Sequence, residues 1–208
     1  MNNKKTMLKI IFKLNKIYHV RVRRGDPFKV LIGTILSQRT KDEVTWPAND
    51  KLFRIVKKPE DFLKLSEKEI AKLIKPVGFY NQKAKRIKEL SKILVEKYDG
   101  KVPKTREELM QLPGVGGKTA DCVICFGFSE YVIPVDTHVA VIARRWHLTK
   151  QKNPEKIRED LHKIFKGKKR LIINNLLVEF GKEYCTARYP KCKICPVLDL
   201  CPYESKNL

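Results

Sequence analysis

Apolar positions recur at the helical period along nearly the whole chain. Ile10, Ile11, Leu14, Ile17 and Tyr18 fall on one helix face, the pattern of a segment packed on one side. Asp26-Pro27 reads as a helix start, because Asp accepts from the first unpaired N–H groups and Pro has no N–H to leave unpaired. It opens the apolar stretch 28–36. Ser66-x-x-Glu69 and Thr105-x-x-Glu108 have the form of capping boxes, the first ahead of Ile70, Leu73 and Ile74, the second ahead of Leu109 and Leu112. Asn153-Pro154 starts a further helix through Ile157, Leu161 and Ile164, and 171–180 is another apolar stretch. Only 131–135 looks like a strand, and one such segment cannot make a sheet. The pattern predicts an all-α protein.

Two segments break the helical period in the same way. Ile74-Lys75-Pro76-Val77-Gly78 precedes Lys83-Ala84, and Leu112-Pro113-Gly114-Val115-Gly116 precedes Lys118 and Ala120. Both read as helix–glycine turn–helix units with different spacing, so one supersecondary unit is reused without a true sequence repeat. In the second, Pro113 stops a helix and the glycines permit positive φ and close backbone approach. The turn runs into a helix start, whose unpaired N–H groups can hold a phosphate. A plain helix–helix connector would have the same composition.

Charge tilts that choice. The 208 residues carry 45 Lys and Arg against 23 Asp and Glu, a net charge of +22. Such an excess suits a polyanion, either nucleic acid or an anionic membrane surface, although a charged surface tuned for solubility or heat tolerance has the same signature. The 42% hydrophobic content is enough for a core, which argues against wholesale disorder. No apolar run has the length of a membrane span and no signal peptide is recognisable, so the expectation is a cytoplasmic, nucleoid-associated protein without membrane contact.

The cysteines are unevenly placed. Cys185, Cys192, Cys195 and Cys201 crowd the C-terminal end as Cys-x6-Cys-x2-Cys-x5-Cys, while Cys122 and Cys125 stand mid-chain. Clustered thiols in a reducing compartment point to a metal, and four sulfurs suit either zinc or an iron–sulfur cluster. Lys182, Arg188, Lys191 and Lys193 surround this array and could present it to phosphates. Val123 and Ile124 between the mid-chain pair favour core packing there. Read alone, Asp136 is a helix cap and Lys118 one of many lysines; His19, His147 and His162 belong to no constellation.

Taken together, Leu112-Pro-Gly-Val-Gly-Gly-Lys-Thr-Ala120, Val135-Asp-Thr-His-Val139, Pro76-Val-Gly-Phe-Tyr-Asn-Gln-Lys-Ala84 and Ile35-Leu-Ser-Gln-Arg-Thr-Lys-Asp42 resemble the helix-hairpin-helix DNA glycosylases, with the endonuclease III branch the nearest match. The resemblance spans about 27–201. It implies two helical domains with a DNA cleft between them: 26–133 carrying the hairpin, and 1–25 plus 134–208 carrying the cysteines. It further implies a base-excision repair glycosylase with abasic-site β-elimination lyase activity on oxidised pyrimidines in duplex DNA, acting as a monomer. A mismatch or oxidised-purine glycosylase of the same fold, or a non-enzymatic DNA-binding module, are the alternatives.

In that family a lysine at the hairpin position marks the members that are also lyases, which makes Lys118 the nucleophile. A helix start opposes a cation, which favours a nucleophilic amine there. Asp136 becomes the carboxylate that steadies developing charge at the sugar. His138 has a capping or supporting role. The four C-terminal cysteines become ligands of a 4Fe–4S cluster, with zinc the lesser alternative. Leu112, Gly114, Val115, Gly116, Gly117 and Thr119 would hold the DNA backbone. The family also places a polar residue in the gap left by the flipped nucleotide. Its position here falls on Gln38 or Arg39, since alignment through Asp42 puts Arg39 where the family commonly has glutamine.

Overall fold

The computed structural model describes residues 2–20 and 24–208, with side chains in the first segment from residue 5 onward. Among the described residues there are eleven α-helices and no strand. They are α1 (Asn2–Tyr18), α2 (Pro27–Ser37), α3 (Asp42–Ile55), α4 (Pro59–Leu63), α5 (Glu67–Leu73), α6 (Tyr80–Tyr98), α7 (Arg106–Met110), α8 (Gly117–Cys122), α9 (Thr137–Arg145), α10 (Pro154–Ile164) and α11 (Lys169–Glu183). Helix α8 continues directly into a π-helical turn, Val123–Gly127, and the strand-like 131–135 is irregular chain. No helix among the described residues is long and apolar enough to cross a membrane. The chain divides into two compact units, one from residues 24–130 and the other from 1–23 together with 131–208.

In the first unit α2 is central and packs against α3, α6, α8 and the π turn. Leu31, Ile32, Ile35 and Leu36 of α2 are fully buried. Asp26 Oδ1 accepts from the N–H of Lys29 at 3.0 Å, the cap that the Asp-Pro pair predicts. Phe28 stands edge-on to Phe53 of α3 and Phe62 of α4, with ring centroids 6.1 and 6.0 Å away. Helices α4 and α5 pack on α6. The Ser66 box closes reciprocally: Glu69 N–H donates to Ser66 Oγ and Ser66 N–H to Glu69 Oε2. The Thr105 cap closes differently. Glu108 N–H donates to Thr105 Oγ1, but the Glu108 carboxylate takes the Thr105 hydroxyl at 2.6 Å.

The second unit is built on α1, α9, α10 and α11. Met7, Ile10 and Leu14 form the buried stripe of α1, whereas Ile17, expected on that face, is 44% exposed. The last turn of α1 is tied to α11 through Tyr18 instead, whose hydroxyl donates to Glu183 Oε2 at 2.9 Å. Trp146, Phe165, Leu176 and Phe180 fill the centre. Helices α9 and α11 cross closely at Gly181, where a Cβ would stand 2.8 Å from both Cβ and Nδ1 of His138. The supporting role expected of His138 is therefore steric. His162 has a definite task as well, accepting the Ile133 N–H at Nε2 (3.0 Å), which fixes the entry to 131–136.

Candidate functional site

The glycine hairpin joins α7 to α8. Leu112 and Val115 are its buried apolar anchors, at 2% and 7% exposure. Of its glycines Gly114 has the positive φ, +80°, while Gly116 has φ −100° and serves as the N-cap of α8. Of the turn's glycines, Gly114 is therefore the one that takes a left-handed backbone. A Cβ on Gly114 would also lie 3.3 Å from Cδ of Arg86 on α6. Gly117 is the first residue of α8, Lys118 follows it with an exposed side chain, and Thr119 is buried. The hairpin thus presents an amine to solvent from a turn fixed on both sides by core residues.

The earlier glycine turn solves the same problem another way. Here the positive φ falls on Phe79 (+58°), the N-cap of α6, while Gly78 keeps an ordinary φ. Gly78 allows a close approach: a Cβ would come within 3.2 Å of Arg39 O and 3.3 Å of Thr40 Oγ1, so the turn would have to give by a few tenths of an ångström to take one. Phe79 is 56% exposed, and the Arg39 guanidinium lies over its ring at 5.8 Å. Arg39 also has a positive φ, +52°. Two bulky residues in the left-handed region, stacked and facing solvent, are a local arrangement that the fold holds against strain. Phe79 went unmarked by sequence reasoning, although its place directly after Gly78 in a turn was the available signal.

Gln38 differs from its neighbour. It ends α2, is half-buried, and its Nε2 donates to Gly114 O (2.9 Å) and Thr119 Oγ1 (3.3 Å). The two residues between which the sequence left a choice therefore have separate surroundings: Gln38 is tied to the hairpin, and Arg39 faces outward with Phe79.

Lys118 belongs to the 24–130 unit and Asp136 to the other. Asp136 is the N-cap of α9, half-buried, its Oδ1 accepting from Val139 N–H at 2.8 Å. The extended 132–136 segment delivers it, held by the His162 contact and by Asn174 Nδ2 donating to Pro134 O at 2.8 Å.

Cys185, Cys192, Cys195 and Cys201 all line one cavity, together with Trp146, Phe180 and Tyr184. Among the described residues no three His, Cys, Asp or Glu side chains converge into a metal-holding set. Burial pushes the Cys195 thiol up to about 11 and raises Cys185 too, against the pull of the Arg145 guanidinium. Arg145 donates to Cys185 Sγ (3.2 Å) and to the carbonyls of Cys185, Thr186 and Ala187, bracing the loop. The Trp146 indole N–H is buried with no hydrogen-bond partner. Four thiols on one cavity, two of which (Cys185 and Cys195) resist ionisation unless a cation joins them, beside an unused donor on a lining residue, suit a thiolate-bound metal group. Lys182, Arg188, Lys191 and Lys193 are exposed around the loop, Lys182 pairing with Glu179 at 3.8 Å. Cys122 and Cys125, at 5% and 0% exposure, are packed in the core.

Comparison with known proteins supplies the family. Residues 32–167 match the model of the HhH-GPD superfamily of base excision DNA repair proteins. Endonuclease III of Thermotoga maritima is 45% identical over 185 residues, covering 89% of this chain and 87% of that protein. Two solved structures superimpose with a TM-score of 0.87 at 32% identity, each covering 97% of this chain and 96% of the other. One is a non-covalent endonuclease III–DNA complex and the other a trapped endonuclease III–DNA covalent intermediate. By the family match over most of its length and its likeness to that relative, this chain belongs to the HhH-GPD superfamily of base excision DNA repair proteins, in its endonuclease III branch.

Proposed function

We propose that the chain is a base-excision repair enzyme, both a DNA glycosylase for damaged pyrimidines and an abasic-site lyase, acting on duplex DNA. The observation that carries this reading is the exposed Lys118 amine on the hairpin of a chain that superimposes on a trapped covalent enzyme–DNA intermediate. Such an intermediate requires a nucleophile that stays bonded to the sugar.

Lys118 Nζ attacks C1′ of a flipped nucleotide, and the bond from C1′ to the base breaks with its electron pair leaving on the base. Proton loss and sugar-ring opening give a Schiff base. Loss of a C2′ proton then expels the 3′ phosphate, and water releases the lysine. Asp136 stabilises the positive charge that builds at C1′; Oδ1 is committed to the cap, which leaves Oδ2 for the sugar. The hairpin N–H groups hold backbone phosphate without reading sequence. Arg39 with Phe79 fills the space left by the flipped base, a polar head and an apolar plate suited to unstacked bases, while Gln38 serves the hairpin. Cys185, Cys192, Cys195 and Cys201 hold a 4Fe–4S cluster, which clamps the loop when bound.

Borohydride trapping on duplex DNA with an abasic site is the test. The wild type forms a covalent adduct, and Lys118→Gln reduces it to background; an undiminished adduct in the variant removes Lys118 from the mechanism. Iron and sulfide analysis of the same preparation checks the cluster, and stoichiometric zinc in their place would overturn that assignment.

A further inference from the structure

Lys83 is 3% exposed and lies in the first turn of α6, where the helix dipole opposes a cation. Its Nζ donates to Leu36 O (2.8 Å), Gln38 O (2.6 Å) and Thr40 Oγ1 (3.2 Å). All three acceptors are uncharged, so the desolvation of the ammonium is met by dipoles alone. An apolar side chain of similar length would fill this space without that cost.

The carbonyls at the end of α2 show what the charge does. The last turn of a helix leaves its C=O groups without intrahelical partners. Here Thr34 O accepts from Ser37 Oγ, Ile35 O from Gln38 N–H, and Ser37 O from Thr40 N–H. Leu36 O takes the Lys83 ammonium, a cation at a helix C-terminus supplied from another helix. The same ammonium grips both ends of the 38–40 turn, with Arg39 in its left-handed conformation between them. Two further links lead outward. Gly78 N–H donates to Thr40 Oγ1 at 3.2 Å, joining the turn before Phe79. Gln38 Nε2 reaches Gly114 O and Thr119 Oγ1, on either side of Lys118 in the hairpin.

We infer that Lys83 is a positioning residue whose buried ammonium sets the 38–40 turn and, through Thr40 and Gln38, its register against the Phe79 turn and the glycine hairpin. Resting on the proposed function, this makes Lys83 a determinant of how tightly the enzyme holds damaged duplex while remaining apart from the covalent chemistry.

Single-turnover trapping over a range of enzyme concentrations separates half-saturation from the maximal rate. Lys83→Met is expected to raise the half-saturating concentration on the order of ten- to a hundredfold, because displacements near 1 Å carry penalties of that size. The maximal rate should stay within about threefold, as Lys118 itself is untouched. Lys83→Arg, which can still donate to Leu36 O and Gln38 O, should recover most of the loss. Unchanged half-saturation in Lys83→Met, or equal loss in the Met and Arg variants, overturns the proposal. If Lys83→Met fails to fold, Thr40→Val decides: it removes the Oγ1 link while keeping the shape, and must also raise half-saturation. Should wild-type protein trap nothing, the functional reading falls by itself. Lys83 is then judged by fluorescence-anisotropy binding to undamaged duplex, where the same weakening is required.

Discussion

Holding an ammonium among carbonyls sets stability against order at a single residue. Burial lowers Lys83 from the usual 10.5 to about 8. Between those values the unfolded chain keeps a proton that the folded chain has lost, so the stability this group contributes is complete above 10.5 and is lost as pH falls through 8. The neutral amine, however, has two N–H donors for three acceptors. Wild type should therefore gain stability relative to Lys83→Met as pH rises from 8 to 10.5 in urea unfolding. Over the same range the wild type loses more duplex affinity than the variant, both sharing the general loss as the exposed lysines approach their ordinary pKa of about 10.4. Parallel curves for the two proteins would contradict this. The sequence contained Lys83 within a recognisable block but gave no reason to bury it, because the acceptors that receive it lie 43 to 47 residues away. Gly78 was legible as a turn, yet what it allows is the close approach of Arg39 O, and the strained backbone falls on Phe79.

Helix starts were the most readable elements, because caps are local chemistry: Asp26, Ser66, Thr105, Asp136 and Asn153 all cap the helices they precede. Helix faces were less readable, since Ile17 has the right spacing but is 44% exposed, the contact at that end of α1 being made by Tyr18. The π turn at Val123–Gly127 left no mark, as its shifted hydrogen bonds need no special residue. It lies where Gly127 meets Pro27, a Cβ there falling 3.0 Å from Pro27 Cα. How elements approach is set by such absences of side chain. Gly181→Ala would drive a methyl into His138, forcing α9 and α11 apart; a loss of about 1–3 kcal/mol in urea unfolding is expected. No loss would show that the His138 ring moves aside freely.

Across the whole molecule, the net charge of +22 makes duplex binding a counterion-release process. If six or more phosphates are neutralised, affinity should drop about a thousandfold or more between 50 and 200 mM salt. A flat salt profile would mean that the basic surface is not the contact. The four C-terminal cysteines were legible as a group because they are close in sequence, whereas the split of one unit into 1–23 and 131–208 has no local signature. That split has a consequence for synthesis on the ribosome. The 24–130 segment is continuous and emerges complete, so it can mature while the remainder is still being translated. Met7, Ile10 and Leu14 emerge before that segment yet must wait for α11, their apolar stripe uncovered meanwhile, which makes α1 in the nascent chain a natural client of a chaperone.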